Sequence, residues 1–263
     1  MMAIAAEFEI SHGRDVIDEN RRREIQSGVA GNYWLGTDDA GAVISFGVAV
    51  EDRHGVSIEI VGGAFDSDLH AHIAATAPGS VQWWIRGAQI PDTHHEVLRR
   101  LRYMETDNTH VAIPETTYSL RTFKPGIDDE AWLAVNNRAF SDHPEQGAWN
   151  QDVLSLRLND HWFDPSGFLL LWDNNHIAAS CWTKIHELPD ARIGEIYVIF
   201  VNPDYQGGGI GRLMLNCGLD SIHSRGVQRA SLFVEDSNAA AIRLYENLGF
   251  VTKRIDCLIS VTQ

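Results

Sequence analysis

The residues best suited to chemistry form one short segment, Asn202-Pro203-Asp204-Tyr205-Gln206-Gly207-Gly208-Gly209-Ile210-Gly211-Arg212. Glycines at this density let the backbone turn through left-handed conformations and come close to a bulky ligand. The segment follows an apolar run, Gly194-Glu195-Ile196-Tyr197-Val198-Ile199-Phe200-Val201, and opens a helical pattern that continues to about Arg225. A helix start points its N–H groups outward and carries partial positive charge, which attracts an anion by about 0.3–1 kcal/mol at an exposed site. The bland alternative is a flexible glycine turn. A dinucleotide site would need Gly-x-Gly-x-x-Gly with an acidic residue about 20 positions on. A nucleoside-triphosphate loop would need Gly-Lys-Ser/Thr. The order here, Gln-x-x-Gly-x-Gly, is neither.

A second segment runs from Glu235 to Phe250 and reads Glu-Asp-Ser-Asn-Ala-Ala-Ala-Ile-Arg-Leu-Tyr-Glu-Asn-Leu-Gly-Phe. Ser237 or Asn238 caps a helix there. Tyr245 follows Asn238 by two turns, so both project from one face. A lone tyrosine on a helix ordinarily packs in the core, and only the neighbouring glycine loop gives this one a chemical reading.

Positioning such a loop takes a strand before it and a helix after it. The second half supplies them. The spacing predicts helices over Ile127–Phe140 and Val153–Trp162, a strand Gly167–Trp172, a turn at Asp173-Asn174-Asn175 and a second strand His176–Lys184. The strand Gly194–Val201, a helix Gly209–Arg225, a strand Ala230–Val234, a helix Asn238–Leu248 ended by Gly249, and one or two strands in Phe250–Val261 complete it. This is an α/β pattern, an α+β mixed sheet with a local parallel pair. The first half imitates the order: strands at Val43–Val50, Val56–Val61 and Val81–Ile85, then a helix Thr93–Tyr103. Where a phosphate loop belongs after Val61, the chain reads Gly62-Gly63-Ala64-Phe65-Asp66-Ser67-Asp68, whose acids repel pyrophosphate. An internal duplication with a degenerate first copy is inferred, with domains at 1–118 and 119–263. The boundary lies near Glu115 to Lys124, just before the Pro125-Gly126 turn signal.

The totals fit two domains of about 100–150 residues each. The 263-residue chain carries net charge −15, which argues against nucleic acid as a partner. No run of about 18 apolar residues is present, so no membrane span is expected. Met1 to Ile10 lacks the basic start of a signal peptide, so a cytoplasmic location is expected. The three cysteines, Cys181, Cys217 and Cys257, give no disulfide framework, and no Cys-x-x-Cys pair suggests a metal. His70, His72, His94 and His95 are read as surface or packing residues, and no metal cofactor is expected.

The two segments together resemble motifs A and B of the GNAT acetyltransferases, the second through Asn238, Ala241, Tyr245, Gly249 and Phe250. The resemblance implies a tandem GNAT fold, an acyl-CoA N-acyltransferase fold, and acetyl-CoA as co-substrate. It implies that backbone from Gln206 through Gly207, Gly208, Gly209, Ile210 and Gly211 to Arg212 holds the pyrophosphate. Ile199, Phe200 and Val201 would pair with the pantetheine arm as an added strand. Asn238, Ala239, Ala240, Ala241, Ile242 and Arg243 would lie beside the cofactor, and Tyr245 by the sulfur.

A closer resemblance covers about Arg121 to Phe250. The segments Arg121–Gly126, Asn136–Phe140, His143–Gly147, Trp162–Pro165, Trp182–Lys184 and Gly194–Val198 are similar to the mycothiol synthase family of tandem GNAT enzymes. That family implies acetyl transfer to the cysteinyl α-amine of a cysteine–glucosamine–inositol conjugate, a small-molecule amine. Glu195, at the start of the strand that runs into the glycine loop, is the candidate base, acting through a water. Tyr245 is the candidate acid. Glu145 and Lys184, with Glu195, are the candidate substrate contacts: a polyhydroxylated ligand needs donors and acceptors in pairs. Cys181 reads as a small buried residue, not a nucleophile. A GNAT enzyme for a different small amine or a protein N-terminus, and a non-catalytic acyl-CoA-binding module, are the alternatives. A monomer or weak dimer is expected.

Overall fold

The computed structural model describes residues 5, 22, 25–26, 32–52, 55–61, 75, 81–87, 96–143, 146–188 and 191–261. In chain order it has strands β1 (Asn32–Thr37), β2 (Val43–Asp52), β3 (Gly55–Val61), β4 (Val81–Arg86), β5 (Glu96–Thr106) and β6 (Ser119–Thr122). Helices α1 (Asp129–Ala139) and α2 (Gln151–Leu158) follow, then β7 (Phe168–Asp173), β8 (His176–Leu188) and β9 (Ala191–Val201). Helix α3 (Ile210–Ser224), β10 (Ala230–Glu235), α4 (Ala239–Glu246) and β11 (Val251–Val261) complete the chain. Two compact units form, and they are not consecutive stretches. One comprises Met1–Arg102, Glu235–Ser237 and Lys253–Gln263; the other comprises Tyr103–Val234 and Asn238–Thr252.

The first unit is a sheet in the order β1-β2-β3-β4-β11-β5. Strands β1, β2 and β3 pair antiparallel, β3 and β4 run parallel, and β11 is antiparallel to β4. Its core is Ala49, Val56, Ile58, Val81, Trp83, Cys257 and Ile259. Two buried carboxylates are held by arginines: Glu59 by Arg86 at 2.8 Å, and Asp256 by Arg254 at 3.1 Å. The helix expected over Thr93–Tyr103 is instead the strand β5 from Glu96 on. Exposure alternates residue by residue over Glu96–Leu101, the period of a strand. Arg99 pairs with Glu235 at 2.6 Å and Arg102 with Asp236 at 2.5 Å. These partners lie more than a hundred positions away in the chain, so tertiary pairing overrides the local helix-forming composition. The sequence Gly62–Asp68, and His70, His72, His94 and His95, lie outside the described residues.

The second unit orders its strands β10-β9-β8-β7-β6. Strands β6 to β9 form an antiparallel meander, and β10 joins β9 in parallel. The β7–β8 hairpin turns through Asn174 at φ 51°, a conformation asparagine tolerates better than most residues. On one face α3 buries Ile210, Leu213, Met214, Leu215, Leu219 and Ile222 against Leu169, Leu171, Ala179 and Ile196. Burying each large aliphatic side chain stabilises by about 1.5–3 kcal/mol. The other face carries an aromatic layer. Trp132 of α1 is fully buried against Phe168, Trp182 and Phe200, and its indole N–H donates to Ser180 Oγ at 3.0 Å. Asp128 precedes α1, but its carboxylate is spent on Arg121 and on the Lys124 N–H, so it does not cap that helix. The strand expected at Gly194–Val201 begins earlier, at Ala191, and Phe250–Val261 yields one strand, not two.

Candidate active site

The site begins where β9 parts from its neighbour. Parallel register pairs join β9 and β10 at Gly194–Ala230, Glu195–Ser231 and Ile196–Leu232, and none is found beyond. On its other edge β9 stays paired with β8 as far as Val201. A bulge falls between these regimes. Thr183 faces Ile196 and Trp182 faces Val198, so Tyr197 has no opposite number. The side chains record the slip: Ile196 packs on the α3 side, whereas Tyr197 and Val198 both pack in the aromatic layer. A bulge adds local twist and bends its strand. Here it leaves the edge Tyr197–Val201 turned towards β10 but unpaired with it among the described residues. An extended ligand with amide groups can add to such an edge as a strand.

That edge runs directly into the glycine loop. Asn202, buried, fixes the exit: its side-chain amide donates to Ile177 O at 2.8 Å and its Oδ1 accepts from Asp204 N at 3.2 Å. A 3-10 turn, Pro203–Tyr205, follows, with the Tyr205 hydroxyl donating to Asp173 at 3.1 Å. Gly209 caps α3 at φ 77° and ψ 2°, in the left-handed region, so no side chain competes for the helix end. Among the described residues the N–H groups of Gly207, Gly208, Gly209, Ile210 and Gly211 donate to no backbone carbonyl. The first turn of α3 has no acid. Exposed donors and a helix dipole together make a cradle for an anion, even in a chain of net charge −15. Gln206 and Arg212 are exposed at its rim.

Helix α4 packs beside the start of α3, with Leu244 next to Gly211. Asn238 caps it, accepting from Ala241 N at 3.1 Å. Ala239, Ala240 and Arg243 are exposed, Ala241 is half-buried and Ile242 is core. At the far end Gly249 adopts φ 84°; Phe250 N donates to Tyr245 O at 3.1 Å and Gly249 N to Glu246 O at 3.0 Å. This is a Schellman ending, which requires a left-handed residue and brings the residue after it against the last turn. The Phe250 ring meets the Tyr245 ring at 5.9 Å. The spacing Tyr-x-x-x-Gly-Phe therefore has a local purpose: it fixes where the tyrosine sits. Tyr245 is 6% exposed, and burial, with Cys181 adding to the effect, raises its pKa well above the ordinary tyrosine value. The phenol is thus held neutral, a hydrogen-bond donor and not a base.

Glu195 stands at the last strand positions before the opening, half-buried, with Oε2 2.6 Å from His186 Nε2. Lys184 lies opposite Glu195 in the β8–β9 register, so the two side chains share a face. Its ammonium rests over the Trp162 ring at 4.8 Å and near Tyr197 at 6.0 Å. Glu145 lies outside the described residues. Sequence reasoning named Glu195 and Lys184 but missed His186, Trp162 and Tyr197 as their companions. The signal for His186 was present: it is two positions from Lys184 on a strand, hence on the same face. Among the described residues no group of His, Cys, Asp and Glu is arranged to hold a metal ion, and no helix is long and apolar enough to cross a membrane.

An unpaired strand edge, an anion cradle at the following helix and a buried phenol on the next helix are the parts of an acetyl-CoA-dependent N-acetyltransferase. The sequence pattern of the Acetyltransferase (GNAT) family matches residues 131–250. A mycothiol acetyltransferase from Acidimicrobium ferrooxidans is 32% identical over 97% of this chain and 91% of that protein. A mycothiol acetyltransferase from Thermobispora bispora is 47% identical, with the match spanning 53% of this chain and about half, 48%, of the relative's length. A GCN5-related N-acetyltransferase from Sphaerobacter thermophilus has the same fold, with TM-score 0.70 and 21% identity over 98% of this chain and 90% of that one. The chain belongs to the mycothiol acetyltransferase family, within the GNAT acetyltransferases.

Proposed function

We propose that this enzyme moves acetyl from acetyl-CoA to the cysteinyl α-amine of a cysteine–glucosamine–inositol conjugate, forming mycothiol. The observation that carries the reading is the opening of β9 from β10 after Ile196, one residue past Glu195, on the strand that leads into the glycine loop. The backbone edge Ile199, Phe200 and Val201 aligns the pantetheine arm, and the N–H groups from Gln206 through Arg212 hold the pyrophosphate. Asn238 to Arg243 flank the cofactor. The resemblance of relatives whose name specifies mycothiol supports the acceptor.

An α-amine has a pKa of about 7.7–8.0, so at pH 7 only about a tenth is unprotonated and deprotonation costs roughly 1–1.5 kcal/mol. A weak base suffices. Glu195 takes that proton through a water. A backbone N–H near Val198–Val201 steadies the oxyanion that forms on attack. The Tyr245 hydroxyl donates a hydrogen bond to the departing sulfur. A tyrosine ordinarily titrates near 10 and a thiol near 8.5, so full transfer is uphill by about 2 kcal/mol. The burial of Tyr245 enlarges that gap, which favours a donated hydrogen bond over a transferred proton. Lys184 and Glu145 recognise hydroxyl groups of the acceptor; the seating of Lys184 on Trp162 and Tyr197 restrains its stem while keeping its charge.

The first half is a degenerate copy in this proposal, and the likeness of the units supports it. In both, an antiparallel pair is followed by a parallel step: β2-β3-β4 and β8-β9-β10. Two assays test the whole. Mass spectrometry of products from acetyl-CoA and a panel of primary amines should show the conjugate acetylated; turnover of another amine alone overturns the acceptor. Calorimetry should give one acetyl-CoA per chain, and a stoichiometry of two would refute the degenerate copy.

A further inference from the structure

We propose that His186 is the positioning residue of the acid–base machinery: it holds Glu195 in one orientation and assigns the proton-accepting work to a single carboxylate oxygen. This rests on Glu195 being the base. In the β8–β9 register Glu195 lies opposite Lys184, and His186 lies opposite Ile193, one diagonal step away. Long side chains reach across that diagonal. His186 Nε2 and Glu195 Oε2 are 2.6 Å apart, and both side chains are mostly enclosed, 19% and 14% exposed. An ionised carboxylate only accepts hydrogen bonds, so at this distance the imidazole must donate from Nε2. The contact therefore selects the Nε2–H tautomer and occupies Oε2.

The proton then follows one route. The ammonium N–H bond of the acceptor breaks, a water relays the proton, and an O–H bond forms at Glu195 Oε1. The imidazole keeps its Nε2–H throughout, and the carboxylate gives up one negative charge as the amine loses one positive charge. Without His186, Glu195 gains rotamers in which neither oxygen faces the amine, and misplacement by about 1 Å costs up to about 10²-fold in rate.

Five variants and one spectroscopic measurement test this. Glu195→Gln should slow turnover of the accepted amine; a normal rate would remove the base reading itself. If Glu195→Gln is slow, His186→Ala and His186→Phe should lower kcat about 10- to 100-fold. The Kd of acetyl-CoA should stay at its wild-type value. His186→Gln, whose amide also donates, should recover much of the loss. Adding His186→Ala to Glu195→Gln should slow the enzyme no further. Wild-type kcat in His186→Ala, equal loss in His186→Gln, or additive losses in the double variant would each overturn the proposal. Nitrogen-15 NMR of the wild-type protein reads the ring protonation independently of folding in the variants: a proton on Nε2 is expected, and an unprotonated Nε2 would overturn the assignment.

Discussion

A methyl group added at Gly208 separates ligand binding from stability. Gly208 has a φ outside the left-handed region, and a Cβ built there meets no atom within 4 Å. Gly208→Ala should therefore leave stability within about 0.5 kcal/mol of the parent, as open surface substitutions do. Its neighbour behaves differently. Gly209 also has open space, but at φ 77° an L side chain is strained. The left-handed conformation costs about 1–2 kcal/mol for an L residue. The loss of unfolded-chain freedom returns about 0.4–1 kcal/mol, so the net penalty of Gly209→Ala is near 1 kcal/mol. In a unit of this size that lowers Tm by about 2–4 °C. Binding reverses the pattern's emphasis. If the Gly208 backbone must touch the pyrophosphate, the methyl group holds it away and weakens a hydrogen bond to a charged group worth about 1.5–3 kcal/mol. That is a rise in the Kd of acetyl-CoA of about 10- to 150-fold. Calorimetric titration of acetyl-CoA beside thermal unfolding reads both quantities. A Gly208→Ala protein with parental Tm and parental Kd would refute the cradle.

Four further outcomes follow from the structure. Tyr245→Phe should lower kcat about 10- to 100-fold with the Kd of acetyl-CoA unchanged, and an unchanged kcat would remove the tyrosine from the reaction. Because burial raises the Tyr245 pKa, the folded state keeps a proton that the unfolded chain loses near pH 10. Its contribution to stability is intact below that pH and falls as pH rises above it; denaturant melts from pH 8 to 11 should show the decline flattened in Tyr245→Phe. Burial likewise pushes the Cys217 thiol up to about 11, and Cys181 is fully buried, so neither should react with iodoacetamide at pH 8 until the chain unfolds. Alkylation of either at the rate of a free thiol would contradict their burial. Asp128, 3% exposed, accepts from Arg121 at 2.6 and 2.7 Å and from Lys124 N at 2.7 Å, and the Arg121 hydrogen bonds hold its pKa below the usual value. Asp128→Ala should cost about 2–3 kcal/mol. In the parent this stability is present above about pH 4 and lost as pH falls below it, so the variant's urea midpoint should depend less on pH in acid.

The cradle was legible because its causes are local. Gly209 must be glycine for its own φ, Asn238 caps the helix it begins, and Gly249 ends that helix by a bond to a residue three positions back; each lies within a few residues of the feature it makes. Strand β5 was not legible. Glu96-Val97-Leu98-Arg99-Arg100-Leu101-Arg102 has residues that suit a helix, and the acids that hold Arg99 and Arg102, Glu235 and Asp236, stand far along the chain. The companionship of His186 with Glu195 was legible only in part. Alternation placed His186 with Lys184 on one face, but which face of β9 it meets depends on a hairpin register set by the pairing of Lys184 with Glu195.

The sequence by itself pointed to the family, and it marked the glycine loop and the tyrosine to which the proposed mechanism gives the anion and the sulfur, because backbone conformation and helix ends are decided over a few bonds. Tertiary structure alone decided that β9 leaves β10 after Ile196, that Tyr197 forms the bulge, that Tyr245 is buried to the point of holding its proton, and that Glu195 meets His186 at 2.6 Å. Those features depend on which strands pair, in what register and under what cover. Such choices are made by burial and hydrogen bonding between segments distant in the chain.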